Sequence, residues 1–192
     1  MTVSDALRQN RFADVFGSPK GRPTIKVKDY LTPFLQEFIG RSPFLVLASA
    51  NGEGHCDASP KGGRPGFVRV LDRKRLLIPD VAGNRLFQSY QNIDANPHVG
   101  LIFLIPGIEE TVRVNGRVSI AGKEELDRYN VELSLYETDE NARHLQGIIV
   151  EVEEAYPHCP RALKFSHLWD PGEITANRSR PLPDRVAGHY EA

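Results

Sequence analysis

The most informative part of this sequence reads Asp57-Ala-Ser-Pro-Lys-Gly-Gly-Arg-Pro-Gly-Phe-Val, and it is followed by Ile78-Pro-Asp-Val-Ala-Gly-Asn-Arg. A cationic loop of small residues leads to a pair of predicted strands and then to a helix predicted to begin at Gly83-Asn-Arg. A helix N-terminus presents free N–H groups and a partial positive charge. With Lys61 and Arg85 beside it, this region predicts a phosphate-binding site.

The same region contains no recognisable hydrolytic centre. Elsewhere, Asp5, Asp14 and the Glu109-Glu110 pair have no matching acid or base partner in the sequence, and a solvated surface is the better interpretation of these carboxylates. We therefore expect a bound phosphorylated cofactor whose own chemistry does the work.

The composition is that of one ordinary globular domain, with 192 residues, 40% of them hydrophobic and 26% charged. A formal net charge of −1 gives no electrostatic reason to expect nucleic acid or an anionic membrane as a partner. The longest apolar runs, such as Val99 to Ile105, are far shorter than the ~20 residues of a membrane-spanning helix. The N-terminus is charged and lacks an apolar signal core, so we expect a cytoplasmic protein.

The cysteines and histidines do not predict a metal site. The 2 cysteines, Cys56 and Cys159, each follow a histidine, His55 and His158. Adjacent residues rarely chelate one metal, and the usual ligand spacings are missing. We interpret both cysteines as free thiols in a reducing compartment.

The chain divides into three predicted parts. Residues 1–28 form a short amphipathic helix and a connection rich in turn residues. Residues 29–171 form the main domain. Residues 172–192 are rich in Pro, Gly and Arg and predict an extended C-terminal tail.

The main domain has the pattern of a mainly β, antiparallel protein. The predicted strands are 44–50, 55–59, 67–71, 75–78, 99–105, 111–121 and 147–152, and the predicted helices are 29–39, 84–95, 123–135 and 157–168. In the longest strand, Val112, Val114, Val118 and Ile120 share one face, as the period of two requires. Because the strands are not separated by regular helices, we expect a small barrel with helices packed outside.

Several short motifs then occur in a specific order. They are Phe44-Leu-Val-Leu-Ala-Ser, Asp57-Ala-Ser-Pro-Lys-Gly, Pro65-Gly-Phe-Val, Leu77-Ile-Pro-Asp, Gly83-Asn-Arg, Asn92-Ile, Asn96-Pro, Val99-Gly-Leu-Ile-Phe, Val114-Asn-Gly-Arg and Leu168-Trp-Asp-Pro. Over residues 29–171 this series resembles the pyridoxamine 5'-phosphate oxidase-like, FMN-binding split-barrel family, in its less characterised bacterial branch. The resemblance implies a split β-barrel that binds FMN in a groove between the two protomers of a homodimer.

For the cofactor, the resemblance implies that Ser59 and Lys61 lie on the strand beside the flavin. It also implies that Asn84 and Arg85 begin a helix and hold the phosphate. Read without the family, Asn84 is a helix cap with a solvated Arg85 after it, and Ser59 and Lys61 belong to a turn.

Around the flavin ring, the resemblance places Thr111 near the isoalloxazine, and Arg113 on the same strand face within reach of the phosphate or the ring. His158 is a candidate for the substrate pocket, or else a residue at the start of a helix. Trp169 is a candidate for the same pocket, or else a packing residue.

Two departures from the family argue against pyridoxamine phosphate itself as the substrate. The true oxidases carry an Arg-x-Val-Leu-Leu-Lys strand, where this chain has Ser59-Pro-Lys-Gly, and their Arg-containing end has no counterpart in Gly188-His-Tyr-Glu-Ala. We expect an FMN-dependent oxidoreductase acting with a small-molecule substrate or electron donor. The alternatives are a non-catalytic flavin carrier or redox sensor, and a protein that uses a deazaflavin or haem in the same groove.

Overall fold

A computed structural model of the chain describes residues 11–18, 20–21, 25–81, 87–138, 143–180 and 182. Its strands are β1 Phe44–Ala50, β2 Cys56–Gly62, β3 Arg69–Val70, β4 Arg75–Val81, β5 His98–Leu104, β6 Thr111–Ala121 and β7 His144–His158. They form one antiparallel sheet of 7 strands in the order β2-β1-β5-β6-β7-β4-β3. The sheet curls into a half-barrel, which confirms the predicted antiparallel, split-barrel fold.

Short helices surround the sheet. They are α1 Arg11–Phe16, α2 Pro33–Arg41, α3 Gln88–Ala95, α4 Lys123–Arg128, α5 Arg161–Ser166 and α6 Pro171–Arg178. Helix α2 begins where Thr32 Oγ1 accepts a hydrogen bond from the Leu35 N–H at 3.4 Å, and Pro33 occupies the first turn, where no N–H is needed. Within the described ranges, no helix is both long enough and apolar enough to cross a bilayer.

The hydrophobic core lies on the inner face of the half-barrel, to which alternate residues of each strand point. Val112 and Val114 are buried there, as the period of two predicts. Ile120 is the exception, because its side chain is 41% exposed. At the C-terminal end of β6, helix α4 covers the outer face of the sheet. Ala121 is therefore buried there, against Leu126 of the helix.

A side-chain contact joins the β2 edge of the sheet to β4, near the other end of the strand order, where no backbone pairing connects them. Strand β2 is one edge, and it carries Pro60, which has no N–H, at its middle. Lys61 of β2 reaches Asp80 of β4 with an Nζ–Oδ1 distance of 2.8 Å. This ion pair therefore spans the open side of the half-barrel.

Several predicted boundaries were wrong. Helix α4 ends at Arg128 rather than at residue 135, because Asn130 adopts a left-handed backbone with φ of 48°. Strand β7 continues to His158, so the helix predicted from residue 157 begins at Arg161 instead.

The predicted extended tail from residue 172 was also wrong in its first part, because residues 171–178 form helix α6. The Asp170 carboxylate caps this helix by accepting hydrogen bonds from the N–H groups of Gly172 and Glu173, and Pro171 occupies its first turn.

Candidate functional site

A groove about 250 Å³ in volume lies on the outer face of the sheet, across strands β1, β5, β6 and β7. We call it the outer groove. It is lined by Val46, Ala48, Gly100, Leu101, Ile102, Arg113, Asn115 and His158. Because Ala48 pairs with Gly100, and Gly100 pairs with Asn115, the floor is low at the centre of the sheet. The groove thus has a flat apolar floor and a polar wall.

A β-bulge in β7 sets which of its side chains face the groove and form the polar wall. The register of β6 against β7 shifts between Asn115 and Gly116, which leaves Glu153 as the extra residue. Beyond the bulge, Ala155 is buried in the core. Since side chains alternate along a strand, Glu154, Tyr156 and His158 then face outward.

Asn115 is held in one orientation by a buried carboxylate. Its Nδ2 donates a hydrogen bond to Glu154 Oε2 at 2.9 Å, and Glu154 is 8% exposed. Its Oδ1 lies above Gly100, where an added Cβ would come within 3.3 Å of it. The amide oxygen is therefore the part of Asn115 that faces the floor of the groove.

At one end of the outer groove, two buried polar atoms have no partner among the described residues. Thr111 and His158 are cross-strand neighbours, and Thr111 Oγ1 and His158 Nδ1 make no hydrogen bond there. Buried polar groups usually find a partner, and an orphaned pair at a groove is suited to a ligand.

Two cations flank Tyr156 at the same end. The Lys26 ammonium lies 5.0 Å from the centre of the Tyr156 ring, and the Arg113 guanidinium carbon lies 5.5 Å from it. Burial lowers the pKa of His158, and the charges of Arg113 and Lys26 lower it further. The imidazole of His158 therefore favours its neutral form.

A second polar region, the inner cluster, lies on the opposite face of the sheet. It consists of Ser49, Asp57, Ser59, Lys61, Asp80, Ser89, Tyr90 and Asn92. Ser89 Oγ donates to Asp57 Oδ2 at 2.6 Å, and Asn92 Nδ2 donates to Ser49 Oγ at 3.0 Å. Burial strongly raises the pKa of Tyr90, and the charge of Asp80 adds to the effect. The cluster adjoins Val81, after which the described chain is interrupted until Phe87.

The family model for pyridoxamine 5'-phosphate oxidase matches residues 31–159, which is more than half of the chain. The chain belongs to the pyridoxamine 5'-phosphate oxidase family. Among curated proteins, the pyridoxine/pyridoxamine 5'-phosphate oxidase of Pseudomonas putida is 28% identical over 138 residues, which cover 60% of this chain. The chain spans 57% of the length of that relative.

Two solved structures share the fold of this family member. A variant of the HupZ protein of Group A Streptococcus matches with a TM-score of 0.50 and 15% identity, over 67% of this chain and 99% of the other. A candidate pyridoxamine 5'-phosphate oxidase of Lactobacillus delbrueckii matches with a TM-score of 0.50 and 18% identity, over 69% of this chain and 99% of the other. At these identities the likeness concerns the fold alone.

The structure of this oxidase-family chain separates the predicted site residues into groups. Arg113 and His158 line the outer groove, and Thr111 is the cross-strand neighbour of His158. Ser59 and Lys61 face the inner cluster instead, because they pair with Leu47 and Leu45, which point into the core. The predicted phosphate ligands, Asn84 and Arg85, lie outside the described residues. The prediction that a helix begins with them was wrong, because α3 begins at Gln88 after Phe87, whose backbone is left-handed with φ of 52°.

Trp169 lines a different groove, about 520 Å³ in volume, between the loop at Ile108 and helix α5. Its Nε1 donates a hydrogen bond to the Ile108 carbonyl oxygen at 3.0 Å. Lys164 and Glu109 form an ion pair of 3.1 Å at the same groove. The indole N–H is therefore satisfied by the protein itself, as in an ordinary packing role.

Sequence reasoning missed several residues of these regions, among them Lys26, Asp80, Asn115, Glu154 and Tyr156. Asp80 lies in the Ile78–Arg85 segment but was not recognised as the partner of Lys61. Lys26 carried no local signal, since it reaches Tyr156 through the pairing of Lys28 with Ala155.

Proposed function

We propose that this protein is a flavoprotein that binds FMN and acts as an oxidoreductase on a small-molecule substrate. Members of the family generally bind a flavin. The observation that carries the proposal is the outer groove, whose floor at Ala48 and Gly100 is flat and apolar enough for a ring system. The fixed amide oxygen of Asn115 above that floor suits the polar edge of such a ring.

The roles of the residues follow from this placement. When bound, FMN supplies the acceptor for hydride or electrons, so the chain needs no nucleophile of its own. Asn115, held by Glu154, presents a fixed amide oxygen to the ring, and Thr111 is assigned to the end of the groove near the ring. Lys61 of the inner cluster, with Ser59 beside it on the same strand, is assigned to the phosphate end with Asn84 and Arg85.

The opposite placement of these two groups supports a homodimeric site. Ser59 and Lys61 face the inside of the half-barrel, whereas Thr111 and Arg113 face outward on the other side of the sheet. One cofactor meets both groups if the phosphate residues of one copy lie against the outer groove of a second copy. We therefore propose that two copies build each site, in an isologous dimer.

Mixed dimers test this arrangement. Arg85→Ala damages the phosphate side, and Ala48→Leu obstructs the outer groove. If the site is shared, a heterodimer of the two variants contains one intact site, so an equal mixture recovers high-affinity FMN binding in about a quarter of its sites. Recovery after mixing and refolding supports the shared site. A mixture that binds no better than either variant alone contradicts it.

The absorbance spectrum of the purified protein tests the cofactor. We expect a yellow protein with flavin bands, and tighter binding of FMN than of riboflavin. A colourless protein that takes up no FMN in titration would overturn the proposal. Binding of a deazaflavin or of haem in preference to FMN would show that the groove serves a different cofactor.

A passive flavin carrier or redox sensor is the second candidate. It is favoured by the state of the nearby carboxylates, because Glu154 is hydrogen-bonded to Asn115 and Asp80 is paired with Lys61. Neither is then free to act as a general acid or base. Reduction of the bound flavin by NADH or NADPH, followed by reoxidation with a series of acceptors, separates the candidates. Sustained turnover with any pair excludes the passive role.

A further inference from the structure

We infer that the outer groove ends in a binding site for a carboxylate or phosphate oxyanion, formed by Lys26, Arg113, Thr111 and His158. The oxyanion belongs to the substrate rather than to the cofactor, so the substrate is an anionic small molecule. This inference rests on the proposed function for the identity of the groove, but its test does not depend on bound FMN.

The first support is uncompensated positive charge. Lys26 and Arg113 each lie over the ring of Tyr156, at 5.0 Å and 5.5 Å from its centre. Among the described residues, neither has a carboxylate within ion-pair distance. Both residues are half-buried, so water screens their charges less than on an open surface. Both cations therefore lie against one side chain, that of Tyr156.

The second support is the pair of unpartnered polar atoms. Thr111 is 4% exposed, and its hydroxyl has no hydrogen-bond partner among the described residues. His158 Nδ1 is likewise buried and has no hydrogen-bond partner among the described residues. A hydroxyl, an imidazole nitrogen that donates in its Nδ1–H tautomer, and two cations nearby are groups that bind an oxyanion.

Backbone pairing from three segments brings these side chains together. On β6 and β7, Thr111 pairs with His158 and Arg113 pairs with Tyr156. The Lys28–Ala155 bridge carries the N-terminal segment past the end of β7, where Lys26 Nζ lies 3.5 Å from the Pro157 carbonyl oxygen. Strand pairing therefore positions three of the four residues, and Lys26 is added by the N-terminal segment.

The nearest carboxylate on the same face of β7 does not compete for the cations. Glu154 is buried and accepts a hydrogen bond from Asn115. Tyr156 stands between Glu154 and His158 in the series of outward-facing residues on β7. The oxyanion space is thus separated from Glu154 by an aromatic ring.

Benzoate and inorganic phosphate are suitable probes, and benzamide is the neutral match for benzoate. Calorimetric titration is carried out on the protein with and without FMN, and perturbation of the flavin spectrum provides a second readout. We expect benzoate or phosphate to bind and benzamide not to. Arg113→Gln and Lys26→Gln should each weaken anion binding by about tenfold or more.

Two control variants make the same charge change nearby. Lys28 is exposed two residues from Lys26, and Arg117 is exposed farther along β6. Lys28→Gln and Arg117→Gln should change anion affinity by less than about twofold, because neither charge faces Tyr156. Thermal melts of all four variants show whether the fold is retained, and NMR should show the His158 pKa rising when the anion binds.

Three outcomes would overturn the inference. One is equal binding of benzamide and benzoate. Another is anion binding that Arg113→Gln and Lys26→Gln leave unchanged. The third is a loss of FMN affinity in these variants without a loss of riboflavin affinity, which would assign the cations to the phosphate of the cofactor. If the wild-type protein binds benzoate but no flavin, the proposed function fails while the oxyanion site stands.

Discussion

Lys61 and Asp80 are joined across the open side of the half-barrel, with Nζ and Oδ1 2.8 Å apart. The strands that carry them, β2 and β4, are not neighbours in the sheet. Their side chains are 17% and 20% exposed, so the pair is largely withdrawn from water. One polar contact therefore links the two halves of the sheet where backbone pairing does not.

Breaking this pair should destabilise the fold. Lys61→Met leaves the Asp80 carboxylate withdrawn from water without its cation, and we expect a loss of about 1–3 kcal/mol in the free energy of unfolding. The double variant Lys61→Met/Asp80→Asn should lose less than the sum of the two single variants. Urea unfolding measures all three.

An exposed ion pair provides the control. Lys74 and Asp29 are 2.7 Å apart, but their side chains are 56% and 70% exposed. Lys74→Met should cost clearly less stability than Lys61→Met, because water screens such exposed pairs. If Lys61→Met is no more harmful than Lys74→Met, the link across the open side contributes little to stability.

Arg85 is predicted to hold the FMN phosphate through a charge-assisted hydrogen bond. Such bonds contribute roughly 1.5–3 kcal/mol, so Arg85→Ala should weaken FMN binding by about one to two orders of magnitude. Riboflavin lacks the phosphate, and its affinity should change little. Fluorescence titration with both flavins measures the difference, and Arg69→Ala on the edge strand β3 is the control. Equal weakening of both flavins would show that the phosphate lies elsewhere.

Ala48 is predicted to lie under the flavin ring. Ala48→Leu places a larger side chain in the outer groove and should weaken flavin binding by about ten- to a hundredfold. Ala58 is a matched control, since it pairs directly with Ala48 and is exposed on the same face, but it does not line the groove. Flavin titration of Ala58→Leu should give nearly wild-type affinity. Similar losses of flavin affinity in both variants would show that the ring lies closer to strand β2.

The stability of the protein should decrease as the pH falls through the range of histidine titration. Burial lowers the pKa of His144 and of His158 below the ordinary value of 6.5. The unfolded chain then binds more protons than the native state, so these groups add stability that is present above pH 6.5 and lost as the pH drops toward their folded pKa. Urea midpoints at about pH 5.5 and 7.5 measure the effect.

Replacement of His158 tests its share of this pH dependence. His158→Gln should reduce the difference between the two urea midpoints, because a group with a lowered pKa has been removed. His55→Gln, on an exposed turn, should leave it unchanged. A difference that is the same in His158→Gln and in the wild type would mean that His158 has its ordinary pKa.

The fold could be predicted because its signals are local. Alternation of apolar and polar residues marks strand β6, and the turn Asn51–Gly54 marks the hairpin between β1 and β2. The order of short motifs indicated the family. Boundaries were harder where a single backbone conformation decides them, as at Asn130, whose left-handed φ of 48° ends α4.

The composition of the site was less predictable, because it depends on pairings between distant segments. The sequence placed Thr111 and Arg113 on one strand face, but it could not place His158 opposite Thr111 without the register of β7. The bulge at Glu153 changes which residues of β7 face the groove, and it follows from no periodic pattern. Lys26 enters through an isolated bridge and gave no signal at all.

Pro60 has a consequence for how copies of this protein meet. An exposed edge strand is a template for indefinite growth of a sheet from one molecule to the next, and such growth leads to fibres. The missing N–H at the centre of β2 removes one donor from that template and discourages extension along the edge. The β2 edge is therefore a poor surface for the indefinite stacking of one copy on the next.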